Sequence, residues 1–199
     1  MMTQTSVKSG KGISDGLVSE LTTFFTVKPG HEREMRAALE RWGQYLHELG
    51  PDIHRKIGLR EWRQALFDDG KRMMLSTAFE TDWDPYVDDA LTVFGLDRFS
   101  DWLQHTVEAE AQGKELRAAL EAMYRGEGNT GALAGLKALL QSAQVPADVY
   151  LDVLSDETVP QIRKAQRVER GFQQVLDDPA AAEVLQHPAM KPLLDEAVD

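Results

Sequence analysis

The stretch Ile57–Glu80, IGLREWRQALFDDGKRMMLSTAFE, decides the fold. It holds two β-rich runs, Ile57–Phe67 and Arg72–Glu80, separated by Asp68-Asp69-Gly70-Lys71. An Asp-Gly turn between such runs predicts a hairpin, because the turn requires a positive φ that glycine adopts without steric cost. Upstream, Glu20–Lys28 (ELTTFFTVK) is dense in β-branched and aromatic residues and stops at Pro29-Gly30, which predicts a strand with a firm end. Between them, Met35, Leu39, Trp42, Leu46 and Leu49 recur at spacings of three and four, with Glu32 and Glu34 near the start. That pattern predicts one amphipathic helix over His31–Leu49, closed by Gly50-Pro51. Downstream, Asp84-Pro85 supplies a capping side chain and a proline suited to the first helical position, opening a helix through Leu91. The order β-α-β-β-α is five of the six elements of a ferredoxin-like unit, an α+β fold.

The sixth element, a closing strand, does not follow. After Gly95, the segment Asp97–Ala111 has helical spacing through Phe99, Trp102, Leu103 and Val107, and two further short helices are expected over Glu115–Tyr124 and Gly131–Leu140. Asp148–Leu154 (DVYLDVL) alternates Val149, Leu151 and Val153 with polar residues, so it is the expected late fourth strand, its apolar residues facing the helices. Helices then run to the C-terminus. The expected organisation is one domain over 1–199, with a mobile N-terminal arm (1–18), a ferredoxin-like core (19–94), a helical insertion (95–145), and the late strand with C-terminal helices (146–199).

The 199 residues carry a formal net charge of −11 and no cysteine. Without a Lys/Arg cluster there is no positive field for phosphate, so neither nucleic acid nor an anionic membrane is an expected partner. The absence of cysteine excludes disulfides, thiolate metal sites and a cysteine nucleophile, which suits a reducing, cytoplasmic setting. The polar segment Met1–Gly16 lacks an apolar run of signal-peptide or membrane-span length. No P-loop, Rossmann glycine pattern, GxSxG elbow or HExxH is present.

The run LTTFFTVKPGHE (Leu21–Glu32) and the run from Lys56 to Leu91 resemble, in the order of their elements, the dimeric α+β barrel superfamily, in which two ferredoxin-like sheets pack face to face. The superfamily includes small cofactor-free monooxygenases, chlorite dismutase-like haem proteins and dye-decolourising peroxidases. The resemblance covers about the first half of the chain and implies a homodimer binding a small molecule, without a cofactor or with haem. Gly12-Ile13-Ser14-Asp15-Gly16 matches the GxxDG pattern of the peroxidases. Those enzymes carry two ferredoxin-like units where this chain has one, so the match is read as chance.

Strict alternation places Leu21, Phe25, Val27, Ile57, Leu59, Phe67, Met73, Leu75 and Phe79 on a face covered by helices. On the opposite face stand Phe24, Trp62, Leu66 and Met74 among Arg60, Gln64, Ser76 and Glu80, a surface too apolar for water, which predicts self-association through the sheet. Glu61 and Arg63 then fall on the apolar face. Read functionally, Glu61 is a general base and Arg63 an anion anchor, the catalytic candidates. Read structurally, they form an ion pair, or a bulge turns both outward. Trp62, Arg60, Tyr86 and His105 are the substrate-binding candidates. His105 follows Trp102 and Leu103 on an amphipathic helix, where a haem protein of the superfamily needs its proximal histidine. The acidic group Asp82, Asp84, Asp88 and Asp89 suits helix capping better than a metal, and no metal ligand set is assigned. Two readings stay open: a small-molecule enzyme, such as a cofactor-independent oxygenase or related biosynthetic enzyme, and a non-catalytic ligand- or partner-binding protein.

Overall fold

The computed structural model describes residues 13–111, 114, 116, 118 and 130–197. It divides into two compact units, Met1–Thr158 and Val159–Asp199, where the sequence pattern suggests one. In the first unit the elements are β1 (Ser14–Asp15), β2 (Val18–Thr26), α1 (Glu32–Leu49), α2 (Pro51–Lys56), β3 (Leu59–Phe67), β4 (Arg72–Phe79), α3 (Trp83–Phe94), α4 (Leu96–Leu103), α5 (Val107–Ala111) and α6 (Thr130–Ala143). The strands form one antiparallel sheet in the order β1-β2-β4-β3. The β3–β4 hairpin turns through Asp68, Asp69 and Gly70, all at positive φ. The expected helix over Glu115–Tyr124 lies outside the described residues except for Leu116, which is buried, and Ala118.

The fold is α+β with a ferredoxin-like sheet, but its fourth strand is not the late segment. Residues 148–154 carry no strand, and Val149, Leu151 and Val153 are 86%, 74% and 85% exposed. The edge of β2 that the late strand would pair with is already occupied in pieces. β1 pairs with its start, and Glu20 N–H donates to Ile13 O at 3.0 Å. Further along, Thr23 bridges Gln144, and Val145 N–H donates to Thr22 O at 2.9 Å. At the far end Thr26 N–H donates to the Glu108 carboxylate, Val27 bridges Thr106, and Lys28 N–H donates to His105 O at 2.9 Å. An edge whose donors and acceptors are met in this way has no need of a further strand. The end of the supposed arm is thus part of the sheet, with Val18 fully buried.

Residues 145–158 run instead as a strap. Its alternation is real but inverted: Tyr150 and Asp152 join the wall of a cleft on the sheet, and the valines face solvent. Gly16, at φ +57°, lets the chain pass so close to the strap that a Cβ would stand 2.4 Å from Ser155 O. Leu17 N–H donates to that oxygen, and Asp15 accepts from Asp152 N–H at 3.0 Å. Asp15 and Gly16 of the GxxDG-like stretch therefore have a structural use.

The core lies between the sheet and α1, α3, α4 and α6, whose Ala132, Leu136, Leu139 and Leu140 are buried in it. Its centre is a set of rings, with Trp42 5.5 Å from Trp62, 5.8 Å from Phe94 and 4.9 Å from Phe99. Aromatic burial of this kind is the largest stabilising contribution per residue. Asp84 and Asp88 both pair with Lys137 of α6, at 2.9 and 3.1 Å, which accounts for half the acidic group as structural. The second unit is helical: α7 (Val159–Leu176), α8 (Ala182–Leu185) and α9 (Lys191–Asp195), with α7 burying no residue fully. No helix among the described residues is long and apolar enough to cross a membrane.

Candidate functional site

The local event that builds the site is an irregularity in β3. Pairing with β4 shifts between Leu59 and Glu61: Leu59 opposes Phe79, while Glu61 opposes Ala78. One extra residue on a strand flips every side chain after it to the other face. Trp62, Gln64 and Leu66 consequently oppose Thr77, Leu75 and Met73 on the helical side, while Glu61, Arg63 and Phe67 oppose Ala78, Ser76 and Arg72 on the open side. This corrects the expected faces of all six. Glu61 and Arg63 are exposed, as the bulge reading has it, and Trp62 stands on the opposite face from both.

Two cavities flank the bulge. The first, about 450 Å³, lies between α1, α2 and β3 and is lined by Leu39, Gly43, Leu46, His47, His54, Leu59, Arg60, Trp62 and Gln64. Three of these residues carry a buried polar atom with no hydrogen-bond partner: His54 Nδ1, Trp62 Nε1 and Gln64 Nε2. Leaving such an atom unpaired costs about 1–3 kcal/mol. His54 Nε2 stands 2.8 Å from Leu46 O. A carbonyl only accepts, so Nε2 carries the proton, and in the neutral ring Nδ1 is left with its lone pair. The indoles of Trp42, Trp83 and Trp102 are also unpaired, but none of the three lines this cavity.

The second cavity, about 340 Å³, lies on the open side under the strap, among Glu20, Thr22, Glu61, Ser76, Tyr150 and Asp152. Glu20 is 4% exposed and accepts from Thr22 Oγ1 at 2.9 Å and, more weakly, from Ala147 N–H at 3.4 Å. Burial, with the charge of Asp152 beside it, pushes the Tyr150 phenol up to about 12, so it stays protonated. Arg60 touches both cavities. Its guanidinium is held by Asp152 at 3.1 Å, Glu80 at 3.6 Å and the Glu157 carbonyl at 2.8 Å.

Of the remaining candidates, Tyr86 is a core residue: it stacks on Phe79 with ring centroids 4.0 Å apart and hydrogen-bonds Thr77 at 2.8 Å. Burial pushes its phenol far up. It has no access to a ligand, contrary to the substrate-binding expectation. His105 stands with its Nδ1 3.0 Å from His31 Nδ1. Burial, then the charge of His31, pushes the His105 imidazole down. No three His, Asp or Glu side chains among the described residues come together as a metal site.

Among solved structures, the chain is similar to a protein from Bordetella bronchiseptica described as an antibiotic biosynthesis monooxygenase, at 21% identity and a TM-score of 0.29. The match covers 47% of this chain and 85% of that one. No protein-family profile and no curated protein matches the sequence. The likeness assigns no activity to this chain.

The sequence pattern points to Arg60 and Trp62 and passes over His54, Gln64, Leu39 and Gly43. The available signal was the placement of two charges, Glu61 and Arg63, where alternation would bury them. A bulge relieves that conflict, and accepting it moves Trp62 and Gln64 together to the helical side.

Proposed function

We propose that this protein is a small-molecule-binding enzyme of the dimeric α+β barrel kind whose substrate occupies the cavity between α1, α2 and β3. The observation that carries the reading is the cavity of about 450 Å³ itself, in whose wall His54, Trp62 and Gln64 stand among Leu39, Leu46 and Leu59. An apolar enclosure with a few converging polar groups is the usual form of a ligand site. His54 is the base: with Nε2 tied to Leu46 O, its Nδ1 accepts a proton from an acidic hydroxyl or activated C–H of the substrate. The reading that joins the resemblance is oxygenation without a resident cofactor, in which the substrate anion left by that transfer is the electron-rich partner of dioxygen. Glu61 and Arg63 have no part in this reading, because they stand on the other side of the sheet.

The test is binding of 2-naphthol, followed by calorimetry, with Gly43→Leu as the blocking variant. A Cβ at Gly43 meets nothing within 4 Å, so a larger side chain has room to start toward the cavity there. Saturable binding lost in Gly43→Leu supports the site, and binding unaffected by it removes the site. For catalysis, oxygen uptake with a panel of hydroxyaromatic and quinol compounds should fall at least about a hundredfold in His54→Ala if the base is assigned correctly.

We propose further that the chain is a homodimer through the open sheet face, where Phe24, Ala65, Phe67 and Met74 are half-exposed beyond the strap. Arg72 lies over the Phe67 ring at 4.9 Å. Phe67→Glu should yield a monomer in light scattering. A monomeric parent protein at micromolar concentration sinks the dimer.

A further inference from the structure

We infer that His31 and His105 form a proton-operated latch, which closes the outer edge of the sheet at Lys28 and opens in acid. Three elements meet at Lys28, just past the end of β2. Its N–H donates to His105 O at 2.9 Å, and its carbonyl accepts from His31 N–H, also at 2.9 Å. The two imidazoles close the third side, with Nδ1 3.0 Å from Nδ1. His31 caps the start of α1 and His105 follows the end of α4, so the ring contact ties one helix to the other across the strand.

That contact depends on proton count. Two Nδ1 atoms at this distance hold one hydrogen between them, so the bond forms when both rings are neutral and survives one added proton. With a second proton both Nδ1 atoms are donors facing each other, and two like charges meet in a partly buried place. The neighbouring carboxylates already have partners. Asp101 of α4 takes Arg41 at 2.9 Å through both oxygens, and Glu34 of α1 takes Arg33 at 3.0 Å. On α5, Glu110 takes Lys28 at 3.1 Å and Glu108 accepts from Thr26 N–H. Burial and His31 outweigh Asp101 and Glu34 in holding the His105 imidazole down, and Lys28 acts with them. The opening is short. Trp102, Leu103 and Thr106 are buried on either side of it, so Gln104 and His105 are the part that lifts, and Lys28 N–H is the donor set free. An unpaired N–H on an outer strand edge is a place where another strand can pair.

Amide exchange of the full chain, read residue by residue by NMR and expressed as protection factors, tests the latch. Between about pH 7.5 and about pH 5, Lys28 protection should fall about tenfold. Two amides serve as controls: Val27 N–H, which donates to Lys71 O on the inner side, and Val145 N–H, which donates to Thr22 O on the same outer edge. Both should change less than about threefold. In His105→Gln and His31→Gln, whose amides keep a contact without titrating, Lys28 protection should also hold within about threefold. Either variant decides alone if the other fails to fold. Protection at Lys28 that does not fall in the parent overturns the latch. An equal fall in the parent and the variants assigns the effect to the carboxylates and overturns it too. So does a fall shared by Val27 and Val145, which is unfolding rather than local opening.

Discussion

The two cavities beside β3 are separated by the thickness of one strand, and their walls are chemically opposed. One is leucine and donor-lined without a carboxylate, and the other is ringed by Glu20, Glu61 and Asp152. The difference comes from a single inserted residue at Leu59–Glu61 rather than from composition. Without it, Trp62 and Gln64 would face the strap, while Glu61 and Arg63 would face the helices as unpaired buried charges. A one-residue shift therefore sorts the second half of β3 into a side that faces the helices and a polar side that faces the strap.

Arg60 is where the contrast is most vulnerable, since its stem borders the first cavity and its head organises the second. The Arg60 and Glu80 side chains are 10% and 8% exposed, and the Leu154 and Glu157 carbonyls also accept from the guanidinium. Arg60→Ala leaves Glu80 and Asp152 without this partner and should cost about 3 kcal/mol, read in denaturant melts. The strap should come free at the same time, with new proteolytic cleavage between residues 145 and 158. A loss under 1 kcal/mol with an intact strap would show that the pairing is incidental and that the two cavities are independent.

How much of this was legible in the sequence follows the range of the forces involved. The hairpin at Asp68–Gly70 and the helix over residues 32–49 rest on local chemistry, turn residues and apolar spacing, and both are present as read. The late strand was misread because alternation says that a segment has two faces but not which face is buried. Asp148–Leu154 presents Tyr150 and Asp152 to a polar cleft and its valines to water, an outcome set by Glu20 and Arg60 far away in the chain. Trp62 was assigned to the wrong side, because its side depends on the register with β4. His54 carries no local mark at all: its tautomer is fixed by the carbonyl of Leu46 on the preceding helix.

The contrast sharpens at Gly43, which touches only the first cavity. Glycine inside an α-helix costs about 1 kcal/mol relative to a good helix former, and here the space beyond its Cα is open. Gly43→Leu should therefore raise the unfolding free energy by about 1 kcal/mol while abolishing ligand binding. A variant that gains stability and loses binding separates a functional void from a packing defect. If it loses both, the helix is too tightly packed there for the cavity to exist in solution.

The smallest expected effect lies away from both cavities, at the His31–His105 contact, and checks that the contrast belongs to the site rather than to the whole molecule. The two Nδ1 atoms, 3.0 Å apart, can bond only while one carries a proton and the other a lone pair. Burial and the charge of His31 hold the His105 imidazole below its ordinary value, with Lys28 acting in the same direction and Asp101 and Glu34 opposing. A group whose value is depressed on folding contributes stability above its unfolded value near 6.5, and that contribution is lost as the pH falls through the folded value. The parent protein should therefore lose thermal stability between pH 7.5 and 5 by more than His105→Gln, whose side chain does not titrate. The glutamine side chain can donate to or accept from His31 Nδ1, so the contact survives the substitution. Melting curves that run parallel across that range would mean that His105 does not report on folding, and the shift would then carry no energetic weight.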